Sequence, residues 1–483
     1  MNEASGSSGA SRRILEQGVS CWRIAPARRV AVLIDGAAYF RALLDSLRRA
    51  RSRIMIVGWD LDPRIRLDPN DPATELRRLL RDLVERCPDL HVYLLIWNVS
   101  LVFGPSRTVD QLVADHWQQH PRIHFRFDGE HPFAAAQHEK IVCIDDALAF
   151  VGGIDLTVER WDTSEHKFET GDRRDPDGEP YGPVHDLQMA VDGEAARAVA
   201  ELARGRWADA AGETLTRCRS PGDPWPDTLT PWLTDVPVGI ARTRPAMKGR
   251  ESASEVAELN AAALAAARCA VYIEAQYLGA VSVADCLAEL LGRAEGPAIV
   301  IVVWRQAIGW IEQFAMGSNR DRLLRRLAAA DRHDRLRAYW LGAPDDPERE
   351  INLHAKLIIV DDVFVRIGSS NLNNRSLGFD SECDLAIEAP DAKARAAIAR
   401  LRSTLLAEHL VRPVEEVEQA VAEEGLIAAI ERLNRERGRL RRHQIEPDAG
   451  SKEPIAGTTL LDPAEPPDLD YLRRRLRAWW QGD

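Results

Sequence analysis

The stretches QHEKIVCIDDALAFVGGIDL, residues 137–156, and LHAKLIIVDDVFVRIGSSNL, residues 353–372, are two copies of one pattern. A constant offset of 216 superposes His138 on His354, Lys140 on Lys356, Asp145 on Asp361, Gly152 on Gly368, Gly153 on Ser369 and Asp155 on Asn371. The same offset places RIMIVGWD, 53–60, on CAVYIEAQ, 269–276. Solenoid repeats run to about 20–50 residues, so a period this long means that a whole domain is duplicated. Composition alone would supply roughly 0.15 His-x-Lys triples; two of them, each followed at the same distance by Asp and Gly, mark a shared chemistry.

Around the motif each copy reads alike. An amphipathic helix (37–52; 254–268) leads into a buried strand (54–59; 270–275), then a further helix and a second apolar strand (92–97; 298–304). The motif strand and a Gly-turned strand follow. Continuous β-branched runs alternating with helices predict an α/β fold, a largely buried sheet with helices on both faces. The Pro-rich stretch SPGDPWPDTLTPW, 220–232, separates the halves, and 169–183 reads as an exposed insertion with turn residues and no periodicity. The expected domains are a flexible segment 1–24, an N-terminal domain 25–225, a C-terminal domain 226–443 and a loose tail 444–483 ending in a short basic, aromatic helix.

Composition narrows the function. The 483 residues are 45% hydrophobic and 29% charged, too apolar for disorder and long enough for two domains. A net charge of −12 disfavours a broad polyphosphate-binding surface, so nucleic acid is an unlikely partner. Seven scattered cysteines, with no CxxC pair, argue against a disulfide framework or a structural zinc site and for a reducing compartment. The polar start lacks a secretory signal, and the apolar run 297–304 is far short of the ~20 residues of a membrane span. The expected location is cytoplasmic, with peripheral contact to the inner face of the membrane. Only six of the 63 basic residues are lysine, so a lysine in each apolar motif strand needs a reason.

On an extended strand His and Lys two apart share a face. If the halves pack about a pseudo-twofold axis, His138 faces His354 and Lys140 faces Lys356 across one cleft. Two imidazoles and two ammonium groups suit a phosphate ester: one His attacks phosphorus while the other protonates the departing oxygen. The lysines, helped by Asn371 and the Ser369 hydroxyl, would hold the phosphate oxygens. Asp155, where the second copy has Asn371, would repel a phosphate and is expected to point to a cation or a backbone amide instead.

Carrying two H-x-K-x4-D motifs over residues 25 to 415, the chain resembles the phospholipase D superfamily. The resemblance implies two similar α-β-α sandwich domains related by a pseudo-twofold axis with one shared active-site cleft. It implies a covalent phosphohistidine, with His138 as nucleophile and His354 as acid and then base, and no metal or organic cofactor. It also assigns Glu382, in NNRSLGFDSECDLAI, and Asp186, in PVHDLQMAV, as carboxylates that hold the imidazoles, with Asp145 and Asp361 as supports. The GGIDL form followed by RWDTSEH, 160–166, is similar to the lipid-cleaving branch.

The expected activity is therefore a phosphodiesterase or phosphatidyltransferase cleaving the distal phosphodiester of a phospholipid at a membrane surface. Water or a primary alcohol would accept the phosphatidyl group, giving phosphatidic acid or a phosphatidyl alcohol. A cardiolipin-synthase-like transferase and a nucleic-acid phosphodiesterase of the same superfamily are the alternatives; a non-catalytic lipid-binding protein is countered by the intact double motif. Thirteen tryptophans against ten phenylalanines would suit interfacial indoles, although Trp59 and Trp97 adjoin buried strands and read as core. The basic aromatic tail with Tyr471, Trp479 and Trp480 reads as a docked helix, or else a membrane contact.

Overall fold

The computed structural model describes residues 13–98, 117–219, 222–247, 249–306, 316–343, 346, 349–435, 438–446, 448, 450–451 and 461–463. Tyr471, Trp479 and Trp480 of the expected tail helix lie outside the described residues. The first half runs β1 (Arg23–Ile34), α1 (Asp35–Leu47), β2 (Arg53–Gly58), α2 (Leu76–Arg86), β3 (His91–Trp97), β4 (Ile123–Asp128), β5 (Ile141–Ile144), β6 (Leu148–Gly152), β7 (Val184–His185), β8 (Leu187–Asp192) and α3 (Gly193–Ala211). The second half opens with β9 (Leu233–Arg244), β10 (Ala253–Ser254), α4 (Glu255–Ala266), β11 (Ala270–Ala275), α5 (Val281–Gly292), β12 (Ala298–Val303), α6 (Ser318–Ala330) and β13 (Leu336–Leu341). It continues through β14 (Asn352–Leu353), β15 (Lys356–Val360), β16 (Phe364–Gly368), α7 (Asn374–Gly378), β17 (Glu382–Glu388), α8 (Ala392–Leu410), α9 (Val414–Glu424), α10 (Leu426–Leu433) and β18 (Leu440–Arg442).

The duplication is visible in the strand order. Outward from the central β1–β9 pair the sheet reads β8, β6, β5, β2, β3, β4 on one side and β17, β16, β15, β11, β12, β13 on the other, with β18 beyond β13. β1 and β9 pair antiparallel from Arg23↔Ile240 to Val30↔Leu233, the arrangement that a twofold axis through two equivalent strands generates. The halves therefore share one continuous sheet. Its inner strands are largely apolar because helices cover both faces: β5 (IVCI) and β15 (KLIIV) are buried at every position. On one face a single core joins both halves, with Val199 and Trp207 of α3 and Ile398 and Leu405 of α8. On the other face each half has its own core, built on Tyr39 and Leu43 of α1 in the first and on Leu259 and Leu264 of α4 in the second. This is the expected α-β-α sandwich, doubled.

Of residues 1–24, expected to be flexible, 13–24 are described; there Ile14 and Leu15 are buried and their N–H groups donate to Glu388 Oε2 at 3.1 and 3.0 Å, at the end of β17. The insertion 169–183 is exposed along most of its length, but Arg173 turns inward, almost fully buried, and donates to Asp162 Oδ1 at 2.8 Å. Among the described residues no helix is long and apolar enough to cross a membrane.

Candidate active site

Each motif strand starts where its half meets the other. The His138 N–H donates to Ser381 O at 2.9 Å, and the His354 N–H donates to His185 O at 2.8 Å. Those two carbonyls belong to the residues immediately before Glu382 and Asp186, so the same backbone bonds deliver a carboxylate to each ring. His138 Nδ1 lies 3.1 and 3.0 Å from the two oxygens of Glu382. His354 Nδ1 lies 2.7 Å from Asp186 Oδ2. The pairing is crossed: each half supplies the imidazole of one pair and the carboxylate of the other. A carboxylate that accepts the Nδ1–H fixes the tautomer and leaves Nε2 as the reacting nitrogen.

The electrostatics keep the rings neutral. Burial, reinforced by the ammonium groups of Lys140 and Lys356, pushes His138 well below the usual histidine range. Burial, Lys356, Arg160 and Lys140 do the same to His354. Each ring is depressed by the lysine of the opposite half as well as by its own. Burial also raises the carboxyls, Glu382 to about 8 and Asp186 to about 7, since a charge in a dry interior is costly.

The two lysines are held differently. Lys140 pairs with Asp155 at 2.9 Å, both side chains nearly inaccessible, and sits 6.0 Å from the Trp59 ring centroid. Asp155 thus points to a cation, and its other oxygen accepts the Trp59 N–H at 3.0 Å. Lys356 donates to Gln276 Oε1 at 2.9 Å and to His354 O at 2.5 Å. Burial without a carboxylate in contact lowers this ammonium to about 7.

Other expected site residues stand elsewhere. Ser369 donates to Glu382 Oε2 at 2.5 Å, so its hydroxyl supports the carboxylate rather than a phosphate. Asn371 is buried near the motif with its Oδ1 unpartnered. Asp145 and Asp361 are not brought to the imidazoles. Asp145 and Asp146 both have positive φ, and the Ala147 N–H donates to Ile144 O at 2.9 Å, the two-residue turn that closes the β5–β6 hairpin. The Asp145 carboxylate accepts the N–H groups of Arg51, Ser52 and Arg53 at 2.7 to 2.8 Å, at the start of β2. Asp361 accepts those of Arg268, Cys269 and Ala270 at 2.6 to 2.8 Å. The acid of each motif therefore pins a hairpin at the far end of the catalytic strand.

Sequence reasoning passed over three residues of the site. Trp59, read as core, is half-buried, stacks on Trp97 at 5.8 Å and presents an edge-on ring 6.4 Å from His138. Gln276 binds Lys356 and occupies the place of Asp60 in the first half. Arg160 acts on His354, Lys356 and Asp186 alike; the RWD string that contains it was the available signal. Among the described residues, the groups able to hold a metal are Asp35, His166, His185 and Glu408, and His185, Glu274 and His409; neither includes His138 or His354.

Known proteins resemble this chain in sequence and in fold. Residues 309–436, which include His354, Lys356 and Glu382, match the family model described as Phospholipase D. Phospholipase D B of Dictyostelium discoideum is 28% identical over 208 residues, covering 36% of this chain and 17% of that protein. Phospholipase D1 of Schizosaccharomyces pombe is 26% identical over 482 residues, covering 77% of this chain and 34% of the relative. The chain thus spans about a third or less of the length of these relatives. Among solved structures, phosphatidylserine synthase of Haemophilus influenzae superposes with a TM-score of 0.54 at 14% identity, over 85% of this chain and 96% of that one, a likeness of fold. With two H-x-K-x4-D strands meeting about a twofold axis, and a relative whose match extends over 77% of the chain, the chain is similar across both halves to proteins of the phospholipase D superfamily.

Proposed function

We propose that the chain is a phospholipase D-type phosphodiesterase that cleaves the distal phosphodiester of a phospholipid at a membrane surface through a phosphohistidine. The crossed pairs His138–Glu382 and His354–Asp186 support this reading, because each imidazole gives its Nδ1 to a carboxylate of the other half and both rings feel the charge of both lysines. His138 Nε2 attacks phosphorus and forms a P–N bond as the P–O bond to the head group breaks. His354, protonated at Nε2, gives its proton to the departing oxygen. It then takes a proton from water or a primary alcohol, whose oxygen attacks phosphorus, breaks the P–N bond and frees His138. Lys140 and Lys356 offset the negative charge that gathers on the phosphoryl oxygens. The phosphate's own charge, placed beside His354, favours the imidazolium that burial otherwise resists.

Head-group release from mixed phospholipid vesicles, with and without a primary alcohol and beside single-stranded DNA, tests the reading. The expected products are phosphatidic acid and, with alcohol, a phosphatidyl alcohol. Nucleotide release from DNA without head-group release would replace the lipid substrate by nucleic acid, and turnover only with a lipid alcohol would identify a cardiolipin-synthase-like transferase.

A further inference from the structure

Directly behind the Asp186–His354 pair lies a buried cluster that the proposed chemistry does not use. Asp35 stands at the junction of β1 and α1 with a positive φ, His166 in the RWDTSEH loop, His185 in β7 and Glu408 near the end of α8. One ligand atom from each, His166 Nε2, His185 Nδ1 and a carboxylate oxygen of Asp35 and of Glu408, lies within 4.8 Å of the others. The separations are 2.9 Å from His166 Nε2 to Glu408 Oε1, 2.9 Å from His185 Nδ1 to the same oxygen, 2.9 Å from His185 Nδ1 to Asp35 Oδ1 and 3.7 Å from His166 Nε2 to Asp35 Oδ2. Ligands about 2.0–2.2 Å from a tetrahedral zinc ion stand about 3.4 Å apart, within this range.

The outward nitrogens show the second feature of a built metal site. His166 Nδ1 is 2.9 Å from Asp162 Oδ2, and His185 Nε2 is 3.0 Å from Glu274 Oε2. Glu274 in turn is 2.9 Å from His409 Nε2 and accepts the Tyr272 hydroxyl at 2.5 Å. Carboxylates on the outer nitrogens are what orient metal-bound imidazoles. If those outer nitrogens carry the protons, the inner ones turn lone pairs toward two carboxylates, an arrangement that needs a cation. Asp35 is 1% exposed and neither of its carboxylate oxygens has a hydrogen-bond partner; His185 Nδ1, although 2.9 Å from two oxygens, makes a hydrogen bond with neither. His166 Nε2 does make a hydrogen bond with Glu408 Oε1, at 2.9 Å, the contact that a bound ion would replace. Of the four carboxylates Asp35, Asp162, Glu274 and Glu408, Asp162 pairs with Arg173 at 2.8 Å, while Asp35, Glu274 and Glu408 face the imidazoles of His166, His185 and His409.

The geometry points to a divalent-cation site, filled best by zinc, with Asp35, His166, His185 and Glu408 as its four ligands. Four protein ligands leave no open position, so the ion is structural. It ties three residues of the first half to α8 of the second. It also steadies the strand that carries Asp186, because the Asp35 N–H donates to Asp186 O at 2.8 Å and His185 O holds the His354 backbone.

The test is metal content of the full chain, purified without chelator, incubated with Zn²⁺ and desalted. We expect about one zinc per chain, falling at least about fivefold in His166→Gln and in Glu408→Gln but not in the exposed-site control His333→Gln. Cobalt in place of zinc is expected to show the visible absorption of a four-coordinate ion, and stripping the wild-type chain to lower its Tm until zinc is returned. Less than about 0.1 zinc in the wild-type chain would overturn the proposal and leave the cluster neutralised by protons on His166 and His185. Zinc undiminished in both ligand variants would overturn it too, by placing the ion elsewhere. Should a variant fail to fold, the wild-type stoichiometry and cobalt spectrum still decide.

Discussion

The two halves share a fold and a motif but not a charge environment. In the first, Lys140 has its own carboxylate, Asp155, and an indole beside it; in the second, Asn371 stands where Asp155 does, and Lys356 contacts Gln276, the His354 carbonyl and, at 3.2 Å, His354 Nδ1, with no carboxylate. In the first half Gly153 leaves room for the Asp186 carboxylate, with which any Cβ would overlap; in the second, Ser369 fills the equivalent position and donates to Glu382. Gly58 of β2 is matched by Glu274 of β11, the carboxylate that anchors His185 and His409. Duplication supplied a symmetric frame, and short local substitutions made one lysine permanently compensated and the other adjustable. In the proposed reaction that difference would give attack and leaving-group protonation unlike partners on the two sides of one phosphorus.

The largest expected effects come from the rings. His138→Asn and His354→Asn should each remove at least about 10⁴-fold of kcat/KM, measured as head-group release, with the fold retained by circular dichroism. Substantial turnover in either variant would break the shared-site account. The carboxylates come next. Glu382→Gln and Asp186→Asn should each cost about 10- to 100-fold, chiefly in kcat, since each loses the group that sets its ring's tautomer. A loss confined to KM would show that they position substrate instead.

The lysine difference yields a pH test. Lys356 is charged below about 7 and loses its proton as pH rises through that value, whereas both imidazoles are held neutral well into acid. The kcat/KM profile is therefore expected to fall above about pH 7 and to lack a limb near 6.5 for loss of a neutral nucleophile. Lys356→Arg, always charged, should lower the rate about tenfold but remove the lysine's share of the alkaline fall. An unchanged alkaline limb in that variant would assign it to the buried carboxyls instead, Asp186 at about 7 and Glu382 at about 8. The smallest effect is expected from Ser369→Gly, which makes the two turns alike and deprives Glu382 of a donor. A loss of about 1–3 kcal/mol of stability is expected by denaturant unfolding, and none at all would mean that Glu382 does not need that donor.

Much of this was legible in the chain. The 216-residue offset revealed the duplication, and the apolar runs around it gave the buried strands and their flanking helices. His138, Lys140, His354 and Lys356 follow from strand alternation alone. The crossed pairing did not, because Glu382 lies 244 residues from His138 and Asp186 lies 168 from His354, separations that only a sheet shared by both halves closes. Asp145 and Asp361 looked like site residues because they belong to the repeat, yet a repeat preserves folding instructions as well as chemistry. Their carboxylates and positive-φ backbones serve the hairpin. The cluster of Asp35, His166, His185 and Glu408 has no spacing signature at all, its members coming from a helix start, a loop, a two-residue strand and a helix end.

The central claim is that one phosphorus meets both halves, and a crystal structure with vanadate in place of the phosphoryl group tests it most directly. The expected result is a single vanadate with His138 Nε2 bonded to vanadium, His354 Nε2 within hydrogen-bond distance of the apical oxygen on the opposite side, and Lys140 and Lys356 on its equatorial oxygens. A vanadate held by one imidazole alone, or two vanadates in separate crevices, would contradict it.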